Sequence, residues 1–434
     1  MNHSTCSGRC LRLSGTAYQK MIIKKIGLIN FRNYGRLDIE VGPSVNVIYG
    51  NNAQGKTNII EAISVGSSVI SHCTSKDKEM IKFGENEYII NLYCHDEVYG
   101  SDVELQAGYY TEKSVFNNRK TPGRQLFHDG MEISKISRYM GVCNTVIFAP
   151  EDLNIVKGQP ASRRKYLNLL ICKVSPSYYD ILGKTRRIID QKNACLKSFK
   201  GRFDKSRENE LDYWDFSLAD LSSELIMERF RYCELISRRA AAHHSVISDG
   251  KENLKIEYST ITGSEAVIRG ILDGDGIFDQ FIAGTLSEAI LAQIKTSLSD
   301  YILNKLRSER FNDIERGIYG NGVHRDDIDI SLNGLSMRQY SSQGQQRSAA
   351  LALKLAELEI IRDKTKSSPI LLLDDVFSEL DEGRRVSLLS GISTAQIFIT
   401  CTDRSFVENE LSSIVTSNVD TRFFRVESGT VYPE

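Results

Sequence analysis

Residues 50–57 read Gly50-Asn51-Asn52-Ala53-Gln54-Gly55-Lys56-Thr57, and no other segment narrows the choice of folds so far. The pattern is GxxxxGK[ST], preceded by the strand-like SVNVIY and followed by the helical pattern KTNIIEA. Glycines at 50 and 55 let the backbone curl and turn its N–H groups toward phosphate oxygens. The helix that follows adds its partial positive charge. Lys56 is then placed for the β- and γ-phosphates of a nucleotide such as ATP, and the Thr57 hydroxyl for Mg²⁺. An α/β fold with a P-loop at the edge of a largely parallel sheet is expected.

A second element belongs with the first. Ile370-Leu371-Leu372-Leu373 runs into Asp374-Asp375, as does a strand buried on both faces that carries acids to the sheet edge. Asp374 has the position of a Walker B acid holding Mg²⁺, and Asp375 that of a residue orienting the attacking water. A third segment, Ser341-Ser342-Gln343-Gly344-Gln345, opens the helical pattern SAALALKLAELEII and offers a further phosphate-binding helix start.

The order and spacing of the three resemble those of ABC-type ATPases, in the branch shared by the RecF family and the SMC-type repair ATPases. Residues 341–345 stand where that class has its LSGGQ signature, and Ser378-Glu379-Leu380-Asp381 is similar to its D-loop. LINFRNY (28–34), IFAPEDLNIVKGQPASRRKYLN (147–168), DQKNACLK (190–197), HRDDIDI (324–330) and PILLLDDVFSELD (369–381) extend the likeness to the RecF family over nearly the whole chain from Met21. The chain departs from the family pattern at Cys73, Asn168, Lys192 and Cys401, and these leave the nucleotide residues intact.

The resemblance implies an ABC head with a mainly helical second lobe. Lobe one is expected at 21–130 plus 365–434, lobe two at 131–364, and residues 1–20 as a dispensable extension. It also implies a weak, DNA-dependent ATPase that acts as a switch. ATP would join two copies, with Ser342, Gln343, Gly344 and Gln345 of one facing the P-loop of the other. The closed dimer would hold double-stranded or gapped DNA, work with RecO and RecR, and help RecA load. The rivals are an ABC transporter's ATP-binding subunit and an SMC-type structural ATPase. The absence of a His after the strand AQIFITC weighs against the first, and the lack of sustained heptads against the second.

Composition adds a charge argument. The chain totals −1, yet residues 157–205 carry 13 Lys or Arg against three acids, a net of +10 that leaves the remainder at −11. Such polarity favours a phosphate backbone, with Arg163, Arg164, Lys165, Arg186 and Arg187 the candidate contacts. Nine scattered cysteines without a CxxC pair fit reduced thiols in a cytoplasmic protein. No apolar run reaches the ~18 residues of a membrane span. Trp214 with Tyr213 and Phe216 reads as core rather than a base-stacking platform, and His243-His244 as a helix face. Residues 262–276 read as loop.

Overall fold

The computed structural model describes residues 19–97, 99–112, 121–199, 208–274, 276–376, 383–385, 395–405, 407–408 and 420–434. Ser378–Asp381 and residues 1–18 lie outside the described residues.

The central sheet runs β16 (Thr430–Pro433), β15 (Thr421–Glu427), β3 (Val45–Tyr49), β14 (Ile397–Cys401), β13 (Ile370–Asp374), β8 (Thr145–Phe148). All of its pairings are parallel except the terminal β15–β16 hairpin. Period-two side-chain alternation explains why its strands read as unbroken apolar runs. Val45, Val47, Leu371, Leu373, Ile397 and Ile399 face one hydrophobic core. Ile48, Ile370, Leu372, Phe398 and Phe424 face another. The sheet is therefore the wall between two cores.

On one side of the wall lie helix α1 (Lys56–Ser68) and a second, mainly antiparallel sheet. Its order is β12 (Ser367–Ser368), β1 (Gln19–Phe31), β4 (Glu87–Asp96), β5 (Ser101–Tyr110), β6 (Gly123–His128), β7 (Met131–Glu132), with β2 (Tyr34–Glu40) also on β1. β1 starts two residues before the expected Met21, and Gln19 and Lys20 pair in parallel with Ser367 and Ser368.

On the other side is the helical lobe. Helix α6 (Glu208–Ile247), about 60 Å long at 1.5 Å per residue, packs against α5 (Ser177–Phe199), α9 (Glu288–Arg316) and α11 (Gln343–Thr365). A small sheet of β11 (Leu335–Ser336), β10 (Asp327–Leu332) and β9 (Leu254–Ser259) packs on α6 and on α4 (Pro160–Val174). Short helices α2 (Ile136–Tyr139), α3 (Leu153–Lys157), α7 (Glu265–Ile271), α8 (Ile277–Ala283) and α10 (Met337–Tyr340) fill the connections. Helix α7 corrects the loop expected at 262–276. Its seven residues are too short to show a period, and the burial of Ile268 among the helices holds it in place.

Candidate nucleotide site and the basic helices

β3 delivers the chain to Gly50 at the carboxyl edge of the central sheet, and α1 leaves from Gly55. The loop needs its glycines. Gly50 (φ 148°) and Gly55 (φ 112°) both lie in the left-handed half of conformational space. A Cβ at Gly50 would collide with the Val426 carbonyl oxygen of β15, and one at Gly55 with the Asn33 side chain. Asn51, Asn52 and Ala53 are exposed, while Gln54 and Gly55 are half-buried. Ala53 (φ 62°) shares the left-handed conformation.

Lys56 bends over this loop and donates to the carbonyls of Gly50 (2.7 Å) and Asn51 (2.8 Å). Burial lowers its pKa, against the pull of Asp375, Cys401 and Asp374. Thr57 Oγ1 donates to Asp374 Oδ1 at 3.0 Å. β14 lies between β3 and β13, and from it Thr400 Oγ1 donates to the same Asp374 oxygen at 2.6 Å. Thr400 Oγ1 also accepts the Asp375 N–H at 2.9 Å. Asp375 is in a left-handed conformation (φ 51°), a strain that persists only where surroundings enforce it. Burial raises the Asp374 pKa, and the two threonine hydroxyls oppose that rise.

A hydroxyl and a carboxylate converging on one point are the hard oxygen donors Mg²⁺ takes. Among the described residues no group of three or more His, Cys, Asp or Glu could hold a metal. The donor set therefore suits an ion that completes its shell with water and phosphate oxygens.

Several contributors lie outside the three nucleotide motifs. Asn33 donates to the Gln54 carbonyl (3.0 Å) and accepts from Asn58 (2.8 Å), and the Tyr34 hydroxyl donates to the Gly55 carbonyl (3.0 Å). Arg32 forms a two-pronged pair with the fully buried Glu61 of α1, 2.7 Å on each prong. The segment LINFRNY is thus the buttress of the P-loop. Its succession of polar side chains after an apolar strand was the available signal. Behind Asp374 lies His72, its pKa lowered by burial while Asp374, Glu61 and Glu151 pull the other way.

Ser342 is exposed and caps α11. Its Oγ accepts the Gln345 N–H (3.2 Å), and Gln345 Oε1 accepts the Ser342 N–H (2.9 Å), a reciprocal capping box. Gln345 donates to Glu252 (2.8 Å), and the Gly344 carbonyl accepts from Arg384 (3.1 Å). Gln343 is exposed beside them.

The basic block divides. Arg163 is 4% exposed and forms a two-pronged pair with Asp327, 2.7 Å on each prong, while Arg164 donates to the Asp326 carbonyl at 2.6 Å. Lys173 is buried against Glu357 (2.9 Å) and the Thr145 carbonyl of β8 (2.8 Å). Lys192 is 1% exposed, 2.7 Å from Asp215 and over the Tyr319 ring. Lys165 donates to the Ser71 carbonyl (3.2 Å). Arg186 and Arg187 are exposed on α5. So Arg163 is a structural cation whose guanidinium does not reach the surface, and three of the block's cations neutralise acids that lie outside the block.

Asn168 accepts from Tyr178 (2.8 Å) and Arg229 (3.1 Å), so its amide oxygen is used within the helical lobe. Cys401 ends β14, its thiol pushed up to about 12 by burial, and Cys73 is likewise pushed up to about 12. Cysteines 73, 94, 143, 172, 195, 233 and 401 are free. Among the described residues no helix is long and apolar enough to cross a membrane.

A parallel sheet with a P-loop on one strand, paired acids on another and a helical lobe whose helix α11 opens with a capped serine defines the head of an ABC-type P-loop ATPase. The family described as RecF/RecN/SMC N terminal domain matches residues 22–422. The chain is 36% identical over 412 residues to the DNA replication and repair protein RecF of Lachnoclostridium phytofermentans, covering 95% of this chain and 99% of that protein. It is 34% identical to the RecF of Acetivibrio thermocellus over 95% of this chain and all of that one (100%). A solved structure described as the recombination mediator protein RecF with ATP in the RecFOR pathway superposes with a TM-score of 0.80 at 30% identity, covering 97% of this chain and 100% of that chain. The chain belongs to the RecF family.

Proposed function

We propose that this chain is an ATP-gated, DNA-binding protein of recombinational gap repair, a slow ATPase whose nucleotide cycle closes and opens a homodimer on double-stranded or gapped DNA. The observation that carries the reading is the convergence of the Thr57 hydroxyl on the Asp374 carboxylate, 3.0 Å apart, beside a P-loop whose lysine is already folded over its own carbonyls. Lys56 exchanges the Gly50 and Asn51 carbonyls for phosphate oxygens. Thr57 and Asp374 hold Mg²⁺, which when bound screens the phosphate charge. Asp375, fixed through its N–H by Thr400, orients the attacking water.

The exposed Ser342 and the exposed face of residues 51–53 support a composite site in which each copy supplies half. The family likeness supports partnership with RecO and RecR, help in loading RecA and a cytoplasmic location. The tested form is sedimentation of the full chain. Wild type is a dimer with ATP and a monomer with ADP, and Ser342→Arg binds ATP and stays monomeric. Asp375→Asn holds ATP and remains closed. Should Ser342→Arg dimerise with ATP, the composite site is wrong.

A further inference from the structure

The aromatic side chains expected in the core include two that are not there. Phe216 is 66% exposed and Tyr213 is 63% exposed. They sit three residues apart on α6, on one side of the helix. Phe216 lines an open groove of about 440 Å³ between α5 and α6. Lys184, Arg187, Ile188 and Gln191 supply the opposite wall, at the i, i+3, i+4, i+7 spacing that places them along one face of α5.

Among the described residues the groove is lined by two cations, Lys184 and Arg187, and one acid, Asp220. Lys295, 3.1 Å from Asp220, pairs with it and with Glu224. Asp212 and Asp215, beside Tyr213 and Phe216, are taken up by Arg310 at 2.6 and 2.7 Å. Among the described residues Arg187 makes one hydrogen bond, to the Gly183 carbonyl at 3.3 Å, and its side chain is exposed. The surface therefore asks for a ligand that is anionic along one edge and flat and apolar on another.

We infer that the α5–α6 groove binds unpaired nucleotides of single-stranded DNA, with a base stacked on Phe216 and backbone phosphates on Lys184 and Arg187. A ring inside a concave groove cannot stack on a paired base, whose faces are covered by its neighbours; an unpaired base offers its face freely. Tyr213 is placed to meet the next base, and Gln191 to meet a base edge. The site would give a protein acting at gaps a hold on the unpaired strand, separate from any duplex held between two heads. This rests on the DNA reading of the chain, and a duplex arm in the test keeps the two apart.

The experiment is fluorescence anisotropy of labelled oligothymidylate and of labelled blunt duplex with the full chain and ATP. Wild type binds both. Phe216→Ala weakens oligothymidylate binding roughly 5- to 150-fold through the loss of stacking on one base, and leaves duplex binding unchanged. Phe216→Trp restores it. Arg187→Glu weakens it and flattens its salt dependence. Unchanged oligothymidylate affinity in both Phe216→Ala and Arg187→Glu overturns the inference while the DNA reading stands. Equal loss of duplex binding in Phe216→Ala also overturns it. A wild type that binds neither ligand overturns the DNA reading as well.

Discussion

The P-loop and the basic block are both short runs of sequence that stand out for their chemistry, yet folding treats them differently. In residues 50–57 the work is done by the backbone and by side chains next to one another, so the run carries its own geometry. In residues 157–205 the meaning of each cation depends on what lies opposite it in space. Arg163 finds Asp327, Lys173 finds Glu357 and Lys192 finds Asp215, acids distant in sequence. Lys184, Arg186 and Arg187 stay outside. A charge count cannot see this division, because a buried ion pair and two exposed charges contribute the same total.

The contrast breaks most sharply at Lys192. Lys192→Ala takes a cation from the buried Asp313 and leaves Asp215 with Arg310, and should cost about 3 kcal/mol by denaturant titration. Lys184→Ala, a turn or two earlier on the same helix, should stay within ~0.5 kcal/mol. Equal losses would show that the block behaves as one surface.

Next in size is Lys56→Ala. Loss of a charged hydrogen-bond donor costs about 1.5–3 kcal/mol, so nucleotide affinity should fall roughly tenfold or more by calorimetry, with the melting temperature of the nucleotide-free chain little altered.

Ser342 belongs to both chemistries, as a helix cap and as a candidate phosphate contact. Ser342→Ala should cost about 1 kcal/mol of stability. Ser342→Asp should restore the cap and still block ATP-driven dimerisation, because a carboxylate repels phosphate. A dimerising Ser342→Asp would leave the serine a cap and nothing more.

A pH-dependent effect lies just ahead of the block. Burial pushes Asp152 up to about 6 from 3.8. Between those values the folded chain keeps a proton that the unfolded chain has released, so this carboxyl's contribution to stability is full below about pH 4 and is lost as pH rises through 6. The melting temperature of wild type should therefore fall relative to that of Asp152→Asn across that window.

Much of the fold was legible because it rests on local signals. The strand-loop-helix around Gly50, the doubly buried ILLLD and the long helical runs each declare themselves within a few residues. What stayed hidden depends on distance. Thr400 orders Asp374 and Asp375 from a strand that lies between them and the P-loop in the sheet but follows both in sequence. Asn33 and Tyr34 buttress a loop twenty residues away. Phe216 and Tyr213 sit in a helical pattern dense with apolar residues, where the sequence gives no sign of which aromatic turns outward.

The strand order also has a consequence for how the chain is made. β3, which carries the P-loop, has β14 on one side and β15 on the other. Both neighbours come from residue 397 onward. While the ribosome is still making the helical lobe, β3 has no partner on either flank, and the Val426 carbonyl against which Gly50 packs does not yet exist. Closing the sheet spans more than three hundred residues of sequence, the kind of non-local step that folds late and slowly. A prematurely terminated product would carry every residue of the P-loop and still be unable to shape it. Competence to bind nucleotide thus waits on β14 and β15.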